Sequence, residues 1–425
     1  MSQDIFWKNY SARFKTFPSM IPQDTDPEVR IVICIPVFAE PNVFTTLTSI
    51  IDCERIESRI EVIILFNKGE SISSDDLKVH QLSWTEVLKW MIDDVVPGFI
   101  IYPLYVDQMP DGKGGVGWAR KVAMDEAARR LQSDGVIVCL DADCIVSPNF
   151  LVEIEKSFRQ AATMEAASIY YEHPLVNLSF EEDEAIINYE LHLRYLVQAQ
   201  RWSGHPFAFH TVGSSMAIRR RGYLSQGGMN TRQAGEDFYL LQKFIETGTL
   251  FEINTTTVFP SSRISSRVPF GTGRAMQQQL VEKNIWRTTH FNIFKEIKPL
   301  FDAIERLRLL CLEQKEALNL NQLQSECSLS NNLMIYLDHI NFKQSILEIS
   351  RHTSGNASFR KRFFRFFNAF RMIKYSHYMR DSFYPDVDVE QAVSDLLTYK
   401  GFDPGGRAKK DLLIWLRKMD QEGSD

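Results

Sequence analysis

Three apolar runs constrain this chain more than anything else in it: "VRIVICIPV" from Val29, "IEVIILF" from Ile60 and "GVIVCLDAD" from Gly135. Each is continuous rather than alternating, so a strand built from it must be covered on both faces. None approaches the ~20 apolar residues that a membrane-spanning helix needs. Between the first two, "NVFTTLTSIIDC" has helical spacing. Before the third, "GWARKVAMDEAARRLQ" puts Val122, Ala123, Ala127 and Leu131 on one helical face with charges opposite. A further strand candidate, "GFIIYPLYV", follows a long acidic and polar insertion at about residues 69–94. Strands alternating with helices predict an α/β fold with a mostly parallel central sheet. In such sheets ligands bind beyond the carboxyl ends of the strands.

The pattern divides the chain into a polar, proline-containing arm (1–28), an α/β domain (29–294) and a largely helical C-terminal extension (295–425). Breaks in the extension are expected at "LNQLQSECSLSNN" and "HTSGNAS". With 425 residues, 44% of them hydrophobic, the chain can bury a full core. A net charge of −6 gives no support to nucleic-acid binding. The six cysteines form no Cys-x-x-Cys pair, and buried reduced thiols are expected of them. The N-terminal residues lack the apolar run of a signal peptide, so a cytoplasmic protein is expected.

"DGKGGVGWAR", Asp111 to Arg120, resembles a phosphate-binding loop of an ATPase but lacks its ending. That loop closes on Gly-Lys-Ser/Thr, where the lysine meets the terminal phosphates and the hydroxyl holds magnesium. Here Trp118 and Ala119 follow Gly117, so the ATPase reading fails. The strand run ending at Asp141 and Asp143 delivers two carboxylates where the chain leaves the sheet. In extended backbone, residues i and i+2 face one side, and two close acids repel unless a cation sits between them. Carboxylates suit a hard ion, Mg²⁺ or Mn²⁺. The other reading is a solvated turn, or a cap on the helix that follows, made by Asp143 or Ser147. Glu236 and Asp237 open a second amphipathic helix, as acids in a first turn also do for the helix dipole alone. Arg263, Arg267 and Arg274 surround a Gly-Thr-Gly turn before a helix, an arrangement suited to a diphosphate or simply a solvated basic loop.

Taken in order, "IPVFAE", "EVIILFN", "GVGWARKVAMDEA", "VIVCLDAD", "GSSMAIRRRGYLSQGGMN" and "GED" resemble family 2 glycosyltransferases of the GT-A fold, over about residues 29–275. The resemblance implies a nucleotide-sugar site across the strand ends, with UDP- or GDP-type donors. It puts Pro36, Val37 and Glu40 beside the nucleoside and Lys113 and Arg120 near phosphates or base, and the basic loop read above adds Arg263 and Arg267 to the donor side. Asp141 and Asp143 would hold Mg²⁺ or Mn²⁺, with Asp141 also approaching the ribose. Asp237 would be the general base, with Glu236 beside it, and a base without an enzyme nucleophile implies inversion. Two departures stand out. Phe66 and Asn67 replace the acid with which the family reads the base, and "AEPN" leaves Glu40 as the one acid in its turn. His173 and His290 are candidate extra ligands or ordinary histidines. Tyr170, Tyr171 and Trp202 could stack on sugars or pack in the core.

Two other functions compete with transfer. A sugar-1-phosphate nucleotidyltransferase would open its first strand into a Gly-Gly-x-Gly-Thr-Arg loop, and "IPVFAEPN" does not. A non-catalytic carbohydrate- or partner-binding module would have no need of a base. The segment 359–380, "FRKRFFRFFNAFRMIKYSHYMR", is rich in Lys, Arg and aromatic residues and has no acids. On one helix, Phe363, Phe366, Phe370, Ile373 and His377 would share a face, packed on the protein or laid on the inner face of an anionic membrane. The latter would suit a lipid-linked acceptor, the former a soluble carbohydrate.

Overall fold

The computed structural model describes residues 5–68, 72–93, 96–107, 115–265, 271–282 and 285–423. The chain forms two compact units, Met1–Glu182 with Thr211–Gln277, and Asp183–His210 with Gln278–Asp425.

The first unit is built on an eight-stranded sheet: β1 (Val29–Val37), β2 (Arg59–Asn67), β3 (Phe99–Val106), β4 (Val136–Cys139), β5 (Ile145–Val146), β6 (Ala166–Tyr171), β7 (Met216–Arg219) and β8 (Leu250–Phe259). Their order is β3-β2-β1-β4-β7-β6-β8-β5. The first four are mutually parallel; β7 runs antiparallel to β4 and β6, β6 pairs parallel with β8, and β5 closes the edge antiparallel. This is the mostly parallel α/β sheet that the apolar runs predict. In β1, Val32 to Ile35 are fully buried, as are Ile63 to Phe66 in β2, which is why those runs are continuous. β3 carries Pro103 and is only half-buried, in keeping with an edge position.

Two elements carry more than the sequence pattern shows. Within the insertion at 69–94, Ser74–Asp93 is a helix whose buried positions are His80, Ser83 and Val87. The helix Val116–Arg130 does not leave its charged face in solvent, since all of it but Val116 and Arg129 is buried. The N-terminal arm covers that face. Tyr10 Oη donates to Asp125 at 2.7 Å, Lys121 donates to Tyr10 Oη and to Asp125, and Tyr223 Oη donates to Asp125. Ser19 Oγ donates to Glu126, and Arg130 forks onto Glu61 while reaching the carbonyl of Gln23. Charges lie inside because each one meets an opposite charge or a hydroxyl.

The second unit is helical, as expected of the C-terminal region, apart from a short antiparallel pair, Arg287–Thr288 with Val387–Asp388. One expected break, "LNQLQSECSLSNN", contains a helix, Leu320–Cys327. The segment 359–380 is two helices, Asn356–Phe366 and Ala369–Ser382, interrupted where the Asn368 side chain caps the second. The single aromatic face therefore does not exist. Phe359, Phe363, Phe364 and Phe367 are buried, and Phe301 packs edge-on against the last three. Burying such a ring stabilises by roughly 1.5–3 kcal/mol, more than the ~1 kcal/mol a basic residue gains at an anionic surface, so the rings go inside. Among the described residues no helix is long and apolar enough to cross a membrane.

Two histidines of this unit are held neutral by burial. His192 hydrogen-bonds Thr288 Oγ1 at 2.8 Å, His205 hydrogen-bonds the Phe367 carbonyl at 3.0 Å, and both are pushed down to about 4. The folded pKa is below the unfolded one, so the unfolded chain takes up protons first as pH falls. Stability present at pH 7 is lost between about pH 6.5 and 4, by up to ~3 kcal/mol for each histidine. The helical signal should accordingly melt at progressively lower temperature from pH 7 to 5, and His205→Gln should flatten that dependence. A melting temperature constant over this range would contradict neutral burial.

Candidate active site

β1 and β4 lie side by side, while the connections from them run to opposite sides, β1 to β2 and β4 toward β7. Crevices of open α/β sheets form at such a switch of direction. Pro36, half-buried, and Val37, buried, end β1, and Asn67, buried, ends β2. Beyond β1, Ala39 adopts φ +48°, a conformation rare outside glycine. The insertion helix holds it there. His80 Nδ1 accepts the Ala39 N–H at 3.2 Å, and Ser83 Oγ donates to the Glu40 carbonyl at 2.7 Å. Burial pushes His80 down to about 4, so the ring is neutral and Nδ1 stays an acceptor. Glu40 is thereby turned inward, where Oε1 accepts the Asn42 N–H and Oε2 accepts from Arg263.

Past β4 the two acids sit in a turn, closed by the Cys144 N–H donating to the Asp141 carbonyl at 3.1 Å, and not in the extended backbone expected of them. Neither Asp143 nor Ser147 caps the next helix, Phe150–Gln160, whose N-cap residue is Asn149. Instead, two arginines gather four carboxylates. Arg120 donates through Nη1 to Glu236 and through Nη2 to Asp141. Arg263 pairs with Glu40 and stands 3.6 Å from Asp143. Burial opposes the charge of Arg120, but Asp141, Glu236 and Asp237 outweigh it and push its pKa up. Arg120 is a fixed cation.

Two glycines make this possible. A Cβ on Gly117 would collide with the Arg232 carbonyl oxygen and crowd Glu236, so the helix Val116–Arg130 approaches Glu236–Thr247 only because residue 117 has none. A Cβ on Gly213 would occupy the Arg120 guanidinium position. The second helix starts directly at its acids, after Gly235 in the left-handed region at φ +68°. Glu236 is buried, and burial pushes its pKa up against the pull of Arg120. Asp237, half-buried, is also raised by burial, opposed by Arg120 and by the backbone amides of Phe238 and Gly213. The Phe238 N–H donates to Asp237 Oδ1 at 2.7 Å.

The ion pairs thus form two groups, Arg120 with Asp141 and Glu236, and Arg263 with Glu40 and Asp143, with Asp237 adjacent to Glu236. Lys113 and Arg267 lie outside the described residues. Arg274 is exposed and bonds Gln277 on its own helix. His173 bonds Thr272 Oγ1 at 3.2 Å, and His290 caps the helix Phe291–Asp302 through Nδ1. Tyr170 donates to Glu172, Tyr171 is buried, and Trp202 packs on Phe291 and Tyr399. Sequence reasoning missed His80, Ser83 and Gly213. Gly213 alone had a visible signal, standing at the head of "GSSMAIRR".

Among the described residues no group of three His, Cys, Asp or Glu side chains is placed to hold a metal ion. Asp141 and Asp143, with side chains 39% and 32% exposed, are the pair that could contribute to one. Mg²⁺ takes one or two carboxylates together with substrate phosphates, so this donor set fits an ion shared with a diphosphate and not a protein-caged one.

No curated protein matches the chain. Among solved structures, S. aureus TarS 1–349 in complex with UDP-GlcNAc aligns at 11% identity over 80% of this chain and 92% of that one, with a TM-score of 0.39. Glucosyl-3-phosphoglycerate synthase from Mycobacterium tuberculosis, in complex with Mn²⁺, uridine diphosphate and phosphoglyceric acid, aligns at 13% identity over 60% and 78%, with a TM-score of 0.32. Residues 102–270 match the family model Glycosyl transferase family 21, a stretch holding Arg120, both acids of the β4 turn, Glu236, Asp237 and Arg263. The protein is a glycosyltransferase.

Proposed function

We propose that the chain transfers a sugar from a nucleotide-diphosphate donor to an acceptor hydroxyl with inversion, assisted by Mg²⁺ or Mn²⁺, as its motif resemblance to family 2 implies. The observation that carries this is Arg120, which ties the acid of the β4 turn to the Glu236–Asp237 pair. That link supports donor-side and acceptor-side chemistry meeting at one place on the sheet. Glu236 is buried and held by Arg120, so its work is to position. Asp237 is the acid left to take the acceptor proton, which a carboxylate can do as the hydroxyl acidifies during attack. Glu40, Asn67, Pro36 and Val37 line the nucleoside side, and Asn67 reads a base edge through its amide. Asp141 and Asp143 would hold the ion, which when bound neutralises the diphosphate leaving group. Arg263 supplies a further cation to that side.

A thermal-shift series with UDP, GDP, dTDP and CMP, each with Mg²⁺ or Mn²⁺, tests the proposal. A nucleotide at a hundred times its Kd stabilises by about 2.7 kcal/mol, so the preferred base shows the largest shift. Asp143→Ala should keep the fold and lose the metal-dependent part of that shift. No shift with any nucleotide and ion would overturn the donor reading.

A further inference from the structure

The three central strands that carry the acid site at one end carry a second charged site at the other. Among the described residues, a cavity of about 490 Å³ is lined by Arg30, Asp134, Glu155, Arg159, Arg219 and Arg221, with apolar walls that include Ile31 and Phe158. Arg30 and Ile31 lie at the start of β1, Val136 at the start of β4, and Arg219 pairs with Val136 at the end of β7. This mouth is therefore at the foot of the strands, six residues or more along β1 from its exit at Val37. At ~3.3 Å per residue in parallel sheet that is on the order of 20 Å from the acids.

The charges there do not balance. Arg221 is matched, by Asp134 at 2.9 Å and Glu165 at 2.8 Å, and Arg159 stands 3.3 Å from Glu155. Arg219 is matched only at the limit of an ion pair. Its side chain is 7% exposed, and its guanidinium lies over the Phe158 ring. It donates to three carbonyl oxygens, those of Met164, Asp134 and Phe158. The nearest carboxylate oxygen is Asp134 Oδ1 at 4.0 Å. Burial is the main force pushing the Arg219 pKa down, and the Arg221 charge adds to it against the pull of Glu165 and Asp134. Arg30, on the rim, makes no ion pair among the described residues. Arg30 at the mouth has no ion pair among the described residues, and Arg219 at the floor reaches only a carboxylate that Arg221 holds more closely.

We propose that this cleft binds a small phosphate monoester. A phosphate would give Arg30 and Arg219 a closer counter-charge, and their planar guanidinium donors suit its oxygens. The volume falls within the ~300–1,000 Å³ of small-molecule sites, and the Ile31, Val136 and Phe158 walls take the body that bears the phosphate. The site lies apart from the donor acids, so it binds with the nucleotide site filled or empty.

The probes are inorganic phosphate and glucose 1-phosphate, titrated calorimetrically into the full chain. Arginine modification by phenylglyoxal is mapped in parallel by mass spectrometry. Binding is expected with either probe, and glucose 1-phosphate should protect Arg30 and Arg159 but not the exposed Arg274. In Arg30→Ala/Arg159→Ala, both exposed positions, affinity should fall at least tenfold while the nucleotide shift stays as in wild type. No binding, binding without protection of Arg30 and Arg159, or unchanged affinity in the double variant would each overturn the site. None of these outcomes depends on the donor reading.

Discussion

Asp237→Asn will bind the nucleotide as wild type does and transfer almost nothing, with kcat lower by roughly 10²–10⁴. The amide matches the carboxylate in shape, keeps an oxygen to accept the Phe238 N–H, and cannot take a proton. A group that acts only as the acceptor hydroxyl is attacked should appear in kcat and not in KM. The pH profile gives a second reading of the same residue. Burial raises the Asp237 pKa above its ordinary aspartate value. A base must be ionised, so activity should fall as pH drops through that raised value, on an acidic limb displaced upward from ~3.9. Residual activity in Asp237→Asn should lack the limb. Wild-type turnover in the variant would remove Asp237 from the role, and an α-linked product from an α-linked donor would remove inversion.

The parts of this fold that could be read from sequence are those whose surroundings are uniform. β1, β2 and β4 are buried on both faces along most of their length, so successive positions report the same environment and the run announces itself. The acid turn was legible because it ends such a run. What stayed hidden depends on unlike partners meeting. On Ser74–Asp93 the buried positions 80, 83 and 87 have helical spacing, but two of the three are His and Ser, so no apolar period appears. On Val116–Arg130 a charged face reads as a solvated one unless Tyr10 and Ser19 are known to lie over it. Gly117 suggested a phosphate cradle, and its place in the structure is a close approach of two helices instead. Nor could Arg120 be assigned its partners, which lie 21 and 116 residues further on and meet it through that approach.

Arg120→Leu should be the most damaging single change to the first unit. Removing the guanidinium leaves Glu236, 2% exposed, as a buried carboxylate without its counter-ion. Breaking a buried pair from one side costs about 3–5 kcal/mol. Replacing both partners by apolar groups of similar size is often neutral, so Arg120→Leu/Glu236→Leu should recover most of the stability. It should recover none of the activity, because the link to Asp141 is gone as well. The penalty in the single variant has a pH signature. Burial already pushes the Glu236 pKa up, and Arg120 is the chief force opposing it. Without that cation the folded-state value rises further above the unfolded one. The folded state then takes up a proton more readily than the unfolded chain, and the destabilisation shrinks as pH falls through the raised value. Urea unfolding of wild type and both variants at pH 8 and pH 5, followed by tryptophan fluorescence, reads all of this. A single variant within 1 kcal/mol of wild type at pH 8, or a double variant no more stable than the single, would show that Arg120 is not what holds Glu236 inside the protein.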